Sequence, residues 1–195
     1  MKEEIKIAVI VGSVNKKSFT LKAVNIVTNE FKKSPSTRVE IIHPLEYSVN
    51  FPGLEKDEFR IKLLRSKIKD SSGVLIATPE YHGSFSSLIK LTIENLGYPS
   101  ALSRKPIGLL GIASGSIGAI KSLEHLRSVC SHVGAIVLPG AVSIGEVENY
   151  FDDEGKCLDN NVENRLRQLA HIMINFITAH IISGMSLEDL ARKKF

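Results

Sequence analysis

Five times along this chain a short run of β-branched and apolar residues gives way to a punctuated loop and then a longer stretch with helical spacing. Few folds accommodate that recurrence. A strand buried on both faces reads as a continuous apolar run, whereas a strand with one wet face alternates. Residues 5–11 (IKIAVIV) form the first such run, and residues 18–33 follow as a helix with Leu21, Val24, Ile26, Val27 and Phe31 on its apolar face. Residues 39–42 form the second strand, ended by Pro44, and the helix at 59–69 carries Ile61, Leu64 and Ile68. The pattern repeats with strands at 74–77, 107–112 and 135–138 and helices at 84–96, 117–132 and 161–182. Five strands alternating with five helices predict an α/β fold: a three-layer, doubly wound, five-stranded parallel sheet. The expected strand order, one that such five-stranded sheets commonly take, is 2-1-3-4-5.

Length and composition narrow the function classes. The 195 residues suit a single domain, and no repeat or long linker divides them. The balance of 25 basic and 21 acidic residues leaves +4, with the two signs interleaved. A dense basic block with aromatics among it is missing, so nucleic acid is not the expected partner. Cys130 and Cys157 have neither the number for a disulfide framework nor the spacing for a zinc or iron–sulfur site. The apolar run at 5–11 is preceded by Glu3 and Glu4 and is too short for a signal peptide or a membrane span. A cytoplasmic protein without membrane contact is the expectation.

In an open parallel sheet, ligands bind beyond the carboxyl ends of the strands, where the strand order reverses. For this order, that point lies between the first and third strands. After the first strand comes GSVNKKSFT, residues 12–20, which runs straight into a helix. Free N–H groups and the positive dipole end of a helix suit a phosphate, and Ser13, Ser18 and Thr20 add hydroxyl donors. A P-loop ending at Ser18 would need glycine where Val11 and Lys16 stand, and GxGxxG is absent from this turn. A capped helix start with solvated Lys16 and Lys17 is the plainer reading of the same residues.

After the third strand comes TPEYHGSF, residues 78–85. Gly83 permits close backbone approach to a flat ring, and Tyr81 can pack against one. Glu80 is open to a chemical role or to the more ordinary one of loop anchor. The fourth strand ends in another small-residue turn, with Ser114 and Gly115. An aromatic-bearing loop at 46–55, with Tyr47 and Phe51, is either a lid, an interface element or a plain surface excursion.

The loop TPEYHGS (78–84) closely resembles the TPEYNGS loop of the NADPH-dependent FMN reductase family, and GSVNKKS (12–18) resembles that family's GSxRxxS phosphate loop. The resemblance spans about residues 5–138. It implies a flavodoxin-like protein that binds FMN and is reduced by NADPH or NADH. Such a protein then passes electrons to free flavin, a quinone, an azo compound or an oxidised metal species. It further implies that Ser13, Asn15, Ser18 and Thr20 hold the phosphate. Pro79, Glu80, Tyr81, His82, Gly83 and Ser84 would then line the flavin ring, with Ser114 and Gly115 on its other side. A homo-oligomer is implied, with the helices at 84–96 and 117–132 near the interface and Tyr47 or Phe51 reaching a neighbouring site.

No catalytic side chain or metal is expected, because the flavin carries the chemistry. FMN is expected to bind better than FAD, since the phosphate loop ends at a single phosphate. Four positions depart from the pattern: Asn15 stands in place of Arg, His82 of Asn, Leu91 of Asn and Asn95 of Trp. A one-electron shuttle and a flavin-free regulator remain alternatives. Shuttles of this fold are typically strongly acidic, unlike this chain.

Overall fold

The computed structural model describes residues 4–15 and 17–182. Five positions of parallel strand run in the order β2 (Thr37–Ile42), β1 (Ile5–Val11), β3 (Gly73–Tyr81), β5 (Pro106–Ile112) and β6 (Ile136–Val137). A short strand, β4 (Ser84–Phe85), pairs antiparallel with the end of β3, and β7 (Val142–Ile144) pairs with β5. Counting only the parallel positions, this is the expected 2-1-3-4-5 order. The α/β flavodoxin-like architecture is therefore present.

Apolar side chains on the two sides of each strand feed two separate cores. Val9 and Leu75 pack with Val27, Phe31, Leu166 and Met173 under α1 (Phe19–Lys32) and α5 (Asn160–Phe176). Ile10 and Ile76 pack with Ile61, Leu64, Ile89 and Leu126 under α2 (Glu58–Asp70), α3 (Ser87–Asn95) and α4 (Ile120–His132). Neighbouring residues on one strand serve opposite cores, which is why the runs are continuous rather than alternating. Each fully buried Leu, Ile or Phe here contributes about 1.5–3 kcal/mol.

The bounds of several elements differ from expectation. The third strand continues past Ala77 to Tyr81 because residues 80 and 81 pair with 85 and 84 in a hairpin. The following helix therefore starts at Ser87, capped by Ser86, rather than at residue 84. The next helix starts at Ile120 rather than 117, since Gly118 has a left-handed φ of 75° that ends the preceding turn. The fifth strand is split into β6 and β7. Residue 107 faces 137 but 110 faces 142, so two extra residues bulge out around Pro139 and Gly140. The last helix is regular to Phe176 and continues as a wider turn over Ile177–Ile182.

Four helices start on a cap from the residue just before them. Asp57 accepts from the N–H groups of Phe59 and Arg60, and Asp159 from those of Asn161 and Val162. α4 has Ala119 in the cap position and no such bond of its own. Its partner comes from the loop at 78–85, described below. Among the described residues, no helix is long and apolar enough to cross a membrane.

Candidate functional site

Three loops leave the carboxyl ends of three adjacent strands, β1, β3 and β5. The first is pinned at its root. Gly12 donates its N–H to the Ala77 carbonyl at 2.7 Å, tying the loop to the end of β3. A Cβ on Gly12 would lie 2.6 Å from Ile89 Cγ1 and 2.9 Å from both Ala77 O and Ser86 Oγ. Only glycine lets this loop sit so low against the start of α3.

Beyond Gly12 the backbone curls through two small turns. Asn15 Oδ1 accepts from the Lys17 N–H at 2.9 Å, and the Asn15 carbonyl accepts from the Ser18 N–H at 3.0 Å. The Asn15 side chain is thus committed to shaping the turn, a role that an arginine could not fill. Ser18 caps α1, its Oγ accepting from Leu21 N–H at 3.2 Å, and the hydroxyl proton stays available to a phosphate oxygen. α1 cannot satisfy the first N–H groups of its own opening turn. Ser13 and Thr20 are buried beside them. Lys17 is exposed, and Lys16 lies outside the described residues.

The second loop is a hairpin rather than an irregular excursion. His82 and Gly83 form its two-residue turn with φ of 50° and 75°, positive at both positions as a type I′ turn requires. The Asn of the family motif tolerates that conformation readily. His82 is among the few other residue types that adopt it. Pro79 is buried, and Thr78 Oγ1 locks the base of the hairpin by accepting from Ser86 N–H at 2.9 Å. Glu80 turns away from the loop's open side. Its Oε2 accepts from the Ser122 N–H at 3.2 Å, which supplies the cap that α4 lacks. Ser84 Oγ makes a second tie to the same helix at 3.1 Å from His125 Nδ1. The hairpin is therefore clamped to α4 at both ends, with exposed Tyr81 and His82 at its tip.

In the third loop, Ser114 Oγ donates to Glu148 Oε1 at 3.1 Å, and the Gly115 carbonyl accepts from both Gly118 N–H and Glu146 N–H. Nothing lies within 4 Å of where a Gly115 Cβ would stand, so this loop opens onto free space. Among the described residues no group of three or more His, Cys, Asp or Glu could hold a metal ion. Cys130 is buried with its thiol pushed up to about 12 by desolvation, an unreactive state.

The structure thus gathers Ser13, Asn15, Ser18 and Thr20 at one end of the sheet edge, the 79–84 hairpin beside them, and Ser114 and Gly115 next along. Residues that sequence reasoning did not single out do the fixing: Thr78, Ser86, Ser122, His125 and Glu148. For Ser122, His125 and Glu148 the signal is tertiary, each meeting a partner 34 to 42 positions away, whereas Thr78 and Ser86 bond each other across only 8.

A low loop at a helix start, with buried hydroxyls and unpaired N–H groups, fits a phosphate, and an open glycine-bearing edge beside a rigid hairpin fits a flat ring. A model of the NADPH-dependent FMN reductase family matches residues 5–149. The chain belongs to that family. FMN and a nicotinamide co-substrate are accordingly its cofactors. An FMN-dependent NADPH-azoreductase of Staphylococcus aureus is 26% identical over 180 residues, covering 89% of this chain and 93% of that relative. Among solved structures, FerB, a flavoenzyme NAD(P)H:(acceptor) oxidoreductase from Paracoccus denitrificans, superposes with a TM-score of 0.73. It is 22% identical and covers 90% of this chain and 98% of its own. The apo form of an NADH:FMN oxidoreductase gives 0.69 at 18% identity, with 88% and 89% covered. These likenesses show the fold.

The phosphate loop carries its own test. Ser18→Ala removes a helix cap and, on the proposal that Ser18 holds the phosphate, a hydrogen bond to a charged group, so FMN affinity should fall by about 10- to 150-fold in a fluorescence titration. Lys17→Ala should matter less, and its effect should fade as salt is added. A larger loss for Lys17→Ala would show that charge, not the hydroxyl and N–H cradle, holds the phosphate.

Proposed function

We propose that residues 1–195 form one FMN-binding domain that takes hydride from NADPH or NADH and delivers two electrons to a second acceptor. The acceptor is free flavin, a quinone, an azo compound or an oxidised metal species. The protein works in the cytoplasm as a homo-oligomer. The observation that carries this reading is the arrangement of loops at adjacent strand ends, a phosphate cradle beside a clamped hairpin. FMN supplies the hydride chemistry when bound. The chain's own part is to bind, orient and leave access. Ser13, Ser18 and the first turn of α1 hold the phosphate. The backbone of residues 79–84 forms one rigid wall, and the open edge at Ser114 and Gly115 leaves room for a substrate.

Anaerobic NADPH or NADH added to FMN-loaded protein should lower the visible flavin absorption in a single step, and a quinone or free flavin should restore it. Because both substrates need the same open edge, steady-state kinetics should be ping-pong. Flavin that stays oxidised under excess of either nicotinamide sinks this reading.

The oligomer is supported by apolar surface beside the hairpin. Phe51 is 63% exposed and lines an open groove of about 700 Å³ with Tyr81, Phe85 and Leu91. Tyr47 is instead half-buried, and desolvation raises its phenol pKa, so Phe51 is the residue free to reach another copy. Asn95, where the family has Trp, is buried. Its Nδ2 donates to the carbonyls of Asn50 at 2.9 Å and Leu91 at 2.8 Å, fastening the aromatic loop to α3. The bond to the Asn50 carbonyl ties the residue next to Phe51 to α3, while the one to Leu91 lies within that helix. Light scattering should give at least a dimer, and Phe51→Asp should shift it toward monomer. A monomeric wild-type protein with full activity would refute the assembly.

A further inference from the structure

The phosphate loop has two flanks, because β1 lies between β2 and β3 in the sheet. The flavin-side loops occupy only the β3 and β5 flank. On the other flank, where β2 ends, the surface opens into a cleft of about 590 Å³, a size typical of small-molecule sites. Its floor includes the buried Ser13, so the cleft and the phosphate cradle share a wall. Val14 and Leu45 flank it at 69% and 58% exposure, large apolar side chains held in water, and Leu21 and Leu88 line it further in. Among its described lining residues Glu46 carries the one carboxylate, and it stands just beyond the end of β2.

Apolar faces with one carboxylate beside a phosphate site are what a nucleoside needs. A flat base packs between aliphatic side chains, and a carboxylate accepts from ribose hydroxyls, as an acidic residue after the second strand does in dinucleotide-binding sheets. We propose that this cleft receives the adenosine half of a flavin dinucleotide, so that the chain accepts FAD as well as FMN. This rests on the flavin reading above and reverses the expectation that FAD binds worse. The shared Ser13 wall favours FAD over the adenosine of the nicotinamide donor. A group joined directly to the phosphate in the cradle is already at the cleft, whereas the donor approaches from the ring flank.

The experiment titrates apoprotein with FMN and with FAD by flavin fluorescence, alongside melting curves for each variant. The FAD dissociation constant should lie within about tenfold of the FMN value. Leu45→Asp and Glu46→Ala sit on an exposed turn, and each should lower the FAD-to-FMN affinity ratio by about tenfold. FAD binding more than about tenfold weaker than FMN overturns the proposal, as does a ratio that neither variant moves. A loss of NADP⁺ binding to FMN-loaded Leu45→Asp protein, with the ratio unmoved, would assign the cleft to the donor instead. If neither flavin binds, the flavin reading itself fails along with this one.

Discussion

Gly12→Ala is expected to weaken FMN binding by about 100-fold or more and to cost about 2 kcal/mol of stability. The added Cβ would stand 2.6 Å from Ile89 Cγ1 and 2.9 Å from the Ala77 carbonyl and Ser86 Oγ. The isoleucine can move a little, but the carbonyl belongs to β3 and already accepts the Gly12 N–H. Relief therefore comes by lifting the loop, which would carry Ser13 and Ser18 together away from the phosphate they are proposed to hold. Two hydrogen bonds to a charged group are lost at once, and their costs combine to the stated factor. Gly115→Ala is the contrast: no atom lies within 4 Å of its Cβ, so stability should stay within about 0.5 kcal/mol of wild type. Flavin titration and urea denaturation read both quantities. Normal FMN binding by Gly12→Ala would remove the low phosphate loop from the account.

The second large effect concerns stability and acid. Glu30 on α1 is only 6% exposed, and its carboxylate meets Lys33 Nζ at 2.7 Å, Arg167 Nη1 at 2.6 Å and His171 Nε2 at 3.2 Å. Arg167 also holds Glu163, so the cluster joins α1 to α5 across the face of the sheet. The hydrogen bond from Lys33, opposed by burial and reinforced by Arg167, keeps the Glu30 carboxyl below its ordinary value. A carboxyl lowered in the folded state adds stability that is complete above its unfolded pKa and is lost as pH falls through the folded one.

Glu30→Gln should therefore cost about 2 kcal/mol near neutral pH, between the values for exposed and buried pairs. The gap from wild type should close as pH drops below about 4. Thermal melts across pH measure it. A gap that persists unchanged at low pH would mean that shape and packing, rather than charge, set the cost.

The strands buried on both faces, the amphipathic helices and the order of the loops were legible in the residues alone, since each rests on local periodicity and punctuation. GSVNKKS and TPEYHGS carried the family for the same reason, as short backbone devices written in contiguous residues. The tertiary structure decided what depends on partners far along the chain. His82 and Gly83 look like loop residues until pairing of Tyr81 with Ser84 makes them a hairpin turn. The role of Glu80 was open until Ser122, 42 positions away, came within hydrogen-bond reach. The sequence places the last strand at 135–138, and only the register against β5 shows β7 resuming it beyond Pro139 and Gly140. The cleft beside Ser13 joins residues from α1, α3 and the turn after β2, a neighbourhood made by the sheet order. Local sequence determines which elements form, because hydrogen-bond period and side-chain pattern are short-range. Contacts between loops depend on strand order and register, which only the packed sheet establishes.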